Sequence, residues 1–170
     1  LVVLRHNLCE GAMRILEGVG EVSAAPRPIN EHELAELSAD CSGIVLGGNR
    51  FGREAIAMAQ GLRVISRHGV GVDNVDLEAA TERGIVVTYT PGANADSVAE
   101  HTFALLLGLV GKVSPADGSI REGEWRSSEF MGFELVGKTL GIIGLGAIGS
   151  RVAKRAMAFG MGVVAHDPYI

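Results

Sequence analysis

Cysteine is scarce in this chain: Cys9 and Cys41 are the only two in 170 residues. Two thiols that far apart make neither a metal knuckle nor a disulfide framework, so both read as buried or idle groups. Positive charge is not in excess either. The 15 Lys and Arg stand against 20 Asp and Glu, for a net charge of −5. No basic block is present to follow a phosphate backbone, so nucleic acid is not an expected partner. Long apolar runs are also missing. The longest, FALLLGLVG from Phe103, is well short of the roughly 20 residues that span a bilayer. No signal-peptide pattern opens the chain, so no membrane partner and a cytoplasmic location are expected.

What the chain does have is glycine, 24 residues of it, placed at strand ends and turns rather than in a low-complexity run. Hydrophobic residues make up 47% and charged residues 21%, enough apolar material for a globular core. Short β-rich runs alternate with helical patterns through the first ninety or so residues. The strands are read at LVVL (1–4), EVSA (21–24), GIVLG from Gly43, RVIS from Arg63 and IVVTY from Ile85. Between them lies a helix carrying Leu8, Met13, Ile15, Leu16 and Val19 and ended by Gly18 and Gly20. Further helices start at Asn30, with Glu33 at capping-box spacing, and span 53–60 and 76–83. This alternation predicts an α/β fold with a parallel sheet. A turn at Pro91 and Gly92 closes the series, and residues 97–111 then read as one long helix with Ser97 as its cap and Glu100 three residues on. A polar helix-and-loop connection follows, containing Trp125 as an expected packing or interface anchor.

The final stretch, GKTLGIIGLGAIGSRVAKRAMAFGMGVVAHDPYI, reads strand, glycine turn, helix, strand. Gly144, Gly146 and Gly149 stand at G-x-G-x-x-G spacing after the apolar strand 139–143. In such a turn the first glycine permits the tight bend, the second lets backbone approach a pyrophosphate, and the third lets helix and strand pack closely. The helix N-terminus adds unpaired N–H groups and a positive dipole end. Glycine turns also serve packing alone, but here the flanking elements fit, and Asp167 ends the next strand 18 residues after Gly149. An acid there accepts hydrogen bonds from the adenosine ribose hydroxyls. It also repels a 2′-phosphate, and no arginine follows it in DPYI, so NAD is the expected cofactor rather than NADP.

A second glycine cluster, RHGVGVDNVD, follows the strand at 63–66. The N–H groups of Val70 and Gly71 could turn outward into an anion-binding concavity. Equally, the segment could be a plain strand-to-helix turn in which Asp73 or Asn74 caps the helix.

RHGVGVDNVDLEAATERGIVVTYTPGANADSVAEHT, followed by FMGFELVGKTLGIIGLGAIGSRVA and AFGMGVVAHDP, resembles the D-isomer-specific 2-hydroxyacid dehydrogenases. Within them it looks most like the 3-phosphoglycerate dehydrogenase branch. The resemblance implies a flavodoxin-like substrate domain (1–94), then a linking helix and the start of a Rossmann NAD-binding domain (95–170), with a cleft between the domains and a homodimer built through the cofactor domain. It implies hydride transfer between the nicotinamide and C2 of a 2-hydroxy acid or 2-keto acid, 3-phosphoglycerate being one candidate. It places the substrate carboxylate on the backbone of Val70 and Gly71, puts Val70 near the nicotinamide and Asn94 near the substrate, and sets the N–H groups of Ala147 and Ile148 on the pyrophosphate.

Two departures stand out. Where the phosphoglycerate branch carries an Arg-Ser pair, this chain has Gly47, Gly48, Asn49 and Arg50, which leaves Arg50 as the candidate substitute. The family's catalytic arginine, glutamate and histidine have no counterpart in residues 1–170, so no catalytic residue is assigned here and the chain is expected to be part of a longer reading frame. Of His6, His32, His68, His101 and His166, only His68 adjoins the proposed anion loop. A non-catalytic NAD-sensing regulator on the same fold is the rival reading.

Overall fold

The computed structural model describes residues 2, 3, 8–25 and 29–170. His6 and part of the first expected strand lie outside the described residues. The chain divides into two compact units, Leu1–Ala93 and Asn94–Ile170.

The first unit is an α/β layer built on a five-stranded sheet in which every pairing is parallel. Its strands are β1 (Val2–Val3), β2 (Ser23–Ala24), β3 (Gly43–Leu46), β4 (Val64–Arg67) and β5 (Val86–Thr88), in the spatial order β2-β1-β3-β4-β5. That is the flavodoxin-like order. Ile44 of β3 lies beside Ile65 of β4, and Ile65 beside Val87 of β5. Strands covered by helices on both faces bury continuous apolar runs, and GIVL is such a run. Ile44, Leu46 and Ile65 are fully buried together with Leu34, Phe51 and Ile56, each removing about 1.5–3 kcal/mol worth of apolar surface from water. Helices α2 (Glu31–Ser38), α3 (Arg53–Met58) and α4 (Leu77–Glu82) complete that core with Ala55, Ala79 and Ala80.

Capping follows the sequence at α2. The Asn30 Oδ1 accepts from Glu33 N at 2.9 Å while Glu33 Oε2 accepts from Asn30 N at 2.9 Å. At α4 the cap is neither Asp73 nor Asn74 but Asp76, whose Oδ1 accepts from Ala79 N at 2.8 Å. Helix α1 (Glu10–Glu17) is shorter than its apolar pattern suggests: Leu8 precedes it and Val19 follows it. Ala12, Met13 and Leu16 are half-buried, but Ile15 is 73% exposed.

In the second unit, α5 (Ala95–Val110) begins two residues before the expected start, and Ser97 is not its cap. The chain leaves the turn at 91–94 with Asn94 already near the helical region, at φ −105° and ψ 8°, and its carbonyl accepts from Val98 N at 2.9 Å. Ser97 therefore never adopts the extended backbone that a cap requires. After α6 (Val113–Arg121) and a 3-10 turn at Ser127–Phe130, β6 (Thr139–Ile143), α7 (Ala147–Ala158) and β7 (Gly162–His166) form one parallel crossover. Phe103 of α5 stacks on Phe159 with ring centroids 5.1 Å apart, beside Val152, Ala156 and Ile142. The two-stranded sheet leaves Ile143 93% exposed. Trp125 is 82% exposed, so it is not a packing anchor within its own unit. No single helix among the described residues is long and apolar enough to cross a membrane, and α5 and α6 are bent by 61°.

Candidate functional site

The glycine turn of the second unit is fixed from three directions. Gly144 leaves β6 at φ +90°, a conformation that L side chains avoid. Its N–H bonds the carbonyl of His166 at 2.8 Å, which ties the turn to the end of β7. The next N–H, that of Leu145, donates to Asp167 Oδ2 at 2.7 Å, and Tyr169 N donates to Asp167 Oδ1 at 2.9 Å. These two backbone donors, Tyr169 first and Leu145 second, hold the Asp167 carboxyl below the usual carboxylate range.

Two of the three glycines are required by the structure, each for a different reason. Gly144 needs its positive φ. A Cβ on Gly149 would fall 2.0 Å from the Gly144 carbonyl oxygen and 3.3 Å from Ile142 Cγ2, so only glycine lets α7 pack this closely on β6. Gly146 is different. Its φ of −72° is ordinary, and a Cβ there would have no atom within 4 Å. Among the described residues nothing asks for glycine at 146, whereas a diphosphate lying against the turn would.

From Gly146 the chain enters α7, so Ala147, Ile148 and Gly149 present first-turn N–H groups that have no intrahelical acceptor. Arg151 braces this turn: its Nη1 donates to the Ala147 carbonyl at 2.7 Å and its Nε pairs with Asp96 Oδ2 at 3.0 Å. Arg155 joins Asp96 at 3.3 Å and Glu100 at 3.0 Å. The Arg151 hydrogen bond, with Arg155 behind it, holds the Asp96 carboxyl below its ordinary value. The six predicted cofactor residues of this unit, Gly144, Gly146, Ala147, Ile148, Gly149 and Asp167, thus come together on one turn and the strand end beside it.

Val70, Gly71 and Arg50 belong to the first unit and Asn94 to the second. Beyond β4, Gly69 adopts φ +153° and its carbonyl accepts from Thr90 N at 3.0 Å and from Thr90 Oγ1 at 3.1 Å. Among the described residues no acceptor meets the N–H of Val70 or of Gly71, which leaves two adjacent donors for an anion. Arg50 lines a pocket of about 440 Å³ with Gly48, Asp73, Asn74 and Asp76. It is 79% exposed and lies 3.7 Å from Glu31 Oε2. Glu31 is the one carboxylate within 4 Å of that guanidinium among the described residues, and Asp73 and Asp76 share the pocket lining, so an anionic substrate there would meet acidic neighbours. Asn94 makes no side-chain cap bond, so its amide is not spent on the helix it precedes. His32 lies 3.6 Å from Glu36, while His68, His101 and His166 are exposed.

Sequence reasoning missed two residues here. Arg67 and Asn74 interlock beneath the second glycine loop, with Arg67 Nε donating to Asn74 Oδ1 at 3.1 Å. The only signal was an asparagine inside VDNVD, where it reads as a cap.

The sequence matches the family described as D-isomer specific 2-hydroxyacid dehydrogenase, catalytic domain, over residues 2–162. It is 47% identical over 170 residues to a D-3-phosphoglycerate dehydrogenase of Methanocaldococcus jannaschii, covering 99% of this chain and 32% of the relative. The chain therefore spans about a third of the length of that relative. Among solved structures, the TT0316 protein of Thermus thermophilus superposes with a TM-score of 0.88 at 39% identity, covering 98% of this chain and 56% of that one. A D-lactate dehydrogenase from Aquifex aeolicus, solved with NAD and lactic acid, gives a TM-score of 0.79 at 30% identity, covering 99% of this chain and 51% of that one.

Proposed function

The chain belongs to the D-isomer-specific 2-hydroxyacid dehydrogenases, and from that membership we propose that the protein carrying it is an NAD-dependent oxidoreductase interconverting a D-2-hydroxy acid and its 2-keto acid. The observation that carries the cofactor assignment is Gly146, a glycine that packing and backbone conformation leave unexplained and that a pyrophosphate accounts for. The residues fit the dinucleotide. First-turn N–H groups of α7 meet the phosphates, and Asp167 has lone pairs left for ribose hydroxyls after accepting from Leu145 and Tyr169. Its negative charge disfavours a 2′-phosphate, which supports NAD over NADP. When bound, NAD supplies the site of hydride exchange.

The chain's own residues then bind and orient. The open N–H groups of Val70 and Gly71 hold the substrate carboxylate, and the unspent amide of Asn94 serves the substrate, as the family resemblance implies. Arg50, exposed and 3.7 Å from Glu31 Oε2, is the residue of this set that would have to give up a carboxylate partner to take the substrate. No residue of 1–170 is assigned the proton-transfer roles that an arginine, a glutamate and a histidine hold in the family. The relative's name supports 3-phosphoglycerate as substrate. The segment Gly47, Gly48, Asn49 and Arg50, where that branch carries an Arg-Ser pair, lacks the pair and keeps other D-2-hydroxy acids in the panel. The protein acts as a homodimer in this reading, supported by the apolar surface of the second unit, where Leu105, Leu109, Val113, Trp125 and Met131 are all exposed.

The test is a turnover assay of the complete protein with NAD and with NADP against D- and L-2-hydroxy acids, 3-phosphoglycerate included. Turnover of a D-acid with NAD is the expected result. Tight NAD binding with no turnover of any acid would replace the enzyme by the NAD-sensing regulator.

A further inference from the structure

Asn74 has no part in the dinucleotide turn, and its amide is fully engaged elsewhere. Its Nδ2 donates to the carbonyls of Gly47 at 3.1 Å and Asn49 at 2.6 Å, both in the loop after β3. Its Oδ1 accepts from Arg67 Nε at 3.1 Å, at the end of β4. Its own carbonyl accepts from Phe51 N at 2.8 Å, a pairing that the Phe51–Val75 bridge continues. Arg67 passes the constraint on. Its Nη1 donates to the His68 carbonyl at 2.5 Å, and its guanidinium lies so close to Gly69 that a Cβ there would fall 2.6 Å from Nη1. The next two residues are Val70 and Gly71. A continuous chain of hydrogen bonds therefore runs from the β3 loop through Asn74 and Arg67 to the His68 carbonyl, two residues before the first of the two open N–H groups.

From this relay we infer that Asn74 is a positioning residue for substrate binding, holding the loop at 68–71 so that the N–H groups of Val70 and Gly71 converge on one carboxylate. The inference rests on the carboxylate seat of the preceding section. A loop with glycines at 69 and 71 has wide backbone freedom of its own. Two donors aimed at one anion lose their joint hold when either rotates, and small misplacements cost large factors. Asparagine suits the junction because one flat group offers two donors to two carbonyls and one acceptor to a guanidinium. Aspartate keeps the shape and the acceptor for Arg67 but turns an oxygen toward the carbonyls of Gly47 and Asn49. The loss falls on substrate binding, not on the cofactor.

The test compares Asn74→Asp and the milder Asn74→Ser with wild type in the complete protein. Readouts are steady-state kinetics on the preferred 2-keto acid with NADH, NADH titration, and amide hydrogen exchange. For Asn74→Asp, KM should rise about tenfold or more with kcat changed less than about threefold, the pattern of lost substrate binding. NADH affinity should be unchanged, and exchange at Val70 and Gly71 should quicken while β3 and β4 keep their protection. Asn74→Ser, whose hydroxyl replaces only part of the amide's bonding, should fall between the two. Unchanged KM and exchange in Asn74→Asp overturn the inference. So does a joint fall in kcat, NADH affinity and sheet protection, which marks a residue of the fold alone. If Asn74→Asp does not fold, Asn74→Ser decides by the same criteria. If wild type turns over no acid, the functional reading falls separately, and exchange decides the positioning role: quickening confined to 68–73 upholds it, and unchanged exchange overturns it.

Discussion

The two glycine loops of this chain are made of the same residue under opposite constraints. In the loop after β4, the neighbours that would meet a side chain at 69 or 71 are the ends of side chains, the Arg67 guanidinium and the Asp73 carboxylate, at 2.6 and 2.7 Å. In the turn after β6, the neighbour that would meet a side chain at 149 is backbone, the Gly144 carbonyl oxygen at 2.0 Å, and at 146 it is nothing. Gly69 also has its φ of +153° and an Arg67 held by hydrogen bonds against it, so of the two only Gly71 faces a free side-chain end and tolerates change. A glycine opposed by backbone does not, and one opposed by empty space is informative about what is meant to occupy that space.

The largest effect is expected at Gly149. Gly149→Ala forces α7 away from β6 and should destabilise the second unit by on the order of 3 kcal/mol or more, abolishing NAD binding with it. Gly146→Val should abolish NAD binding as well, yet shift stability by only about 1 kcal/mol, since the new Cβ has no protein atom within 4 Å. Thermal denaturation beside NAD titration separates the two. Wild-type NAD affinity in Gly146→Val would return the turn to packing, and a wild-type melt for Gly149→Ala would contradict the close helix-to-strand approach.

The sequence made the scaffold of both loops legible because it is carried by local signals. Parallel strands announce themselves as apolar runs such as GIVL, and Asn30 with Glu33 announces a capping box at the right residues. What it hid depended on contacts across tens of residues or on backbone history. Asn74 reaches back 27 residues to Gly47 and 25 to Asn49, and nothing in VDNVD distinguishes that role from a cap. Ser97 has the composition of a cap but is overtaken by a chain that is already turning helically at Asn94. Position alone marks Asp167 as the candidate ribose acid, while its grip on Leu145 N across 22 residues was not legible.

That double role yields a sharper experiment. Asp167→Ala removes a clamp on the turn and, on the proposed function, a ribose acceptor as well. Loss of the clamp weakens NAD and NADP alike, whereas loss of the ribose acceptor weakens NAD selectively. NAD affinity should drop roughly tenfold or more, with NADP affinity dropping much less. Equal losses would assign Asp167 to the clamp alone. The pH dependence follows from the depressed carboxyl. A group whose pKa is lowered in the folded state stabilises it at pH above the ordinary carboxyl range. That contribution is lost as pH falls below about 4 and through the folded value. The stability gap between wild type and Asp167→Ala should therefore be full near neutrality and narrow in acid. A gap that holds constant down to strong acid would mean that the two backbone bonds to Asp167 do not form in solution.

The smallest effect is expected at Gly71, and it tests the comparison most directly. A Cβ there meets only Asp73 Oδ1, the mobile end of an exposed side chain. Gly71→Ala should thus leave stability within about 0.5–1 kcal/mol of wild type and raise KM for the 2-keto acid only a few-fold. The increase should come from the displaced carboxylate crowding the two N–H donors rather than from a broken loop. If so, Asp73→Ala on its own should change KM little, and the double variant should recover most of what Gly71→Ala lost, a coupling that a double-mutant cycle reads out. No side-chain truncation can rescue Gly149→Ala in the same way, because its opponent is a backbone carbonyl. A Gly71→Ala variant as unstable as Gly149→Ala, or a KM defect that removing Asp73 leaves untouched, would mean that the first loop is as rigidly opposed as the second and that the distinction between them is not one of flexible against fixed neighbours.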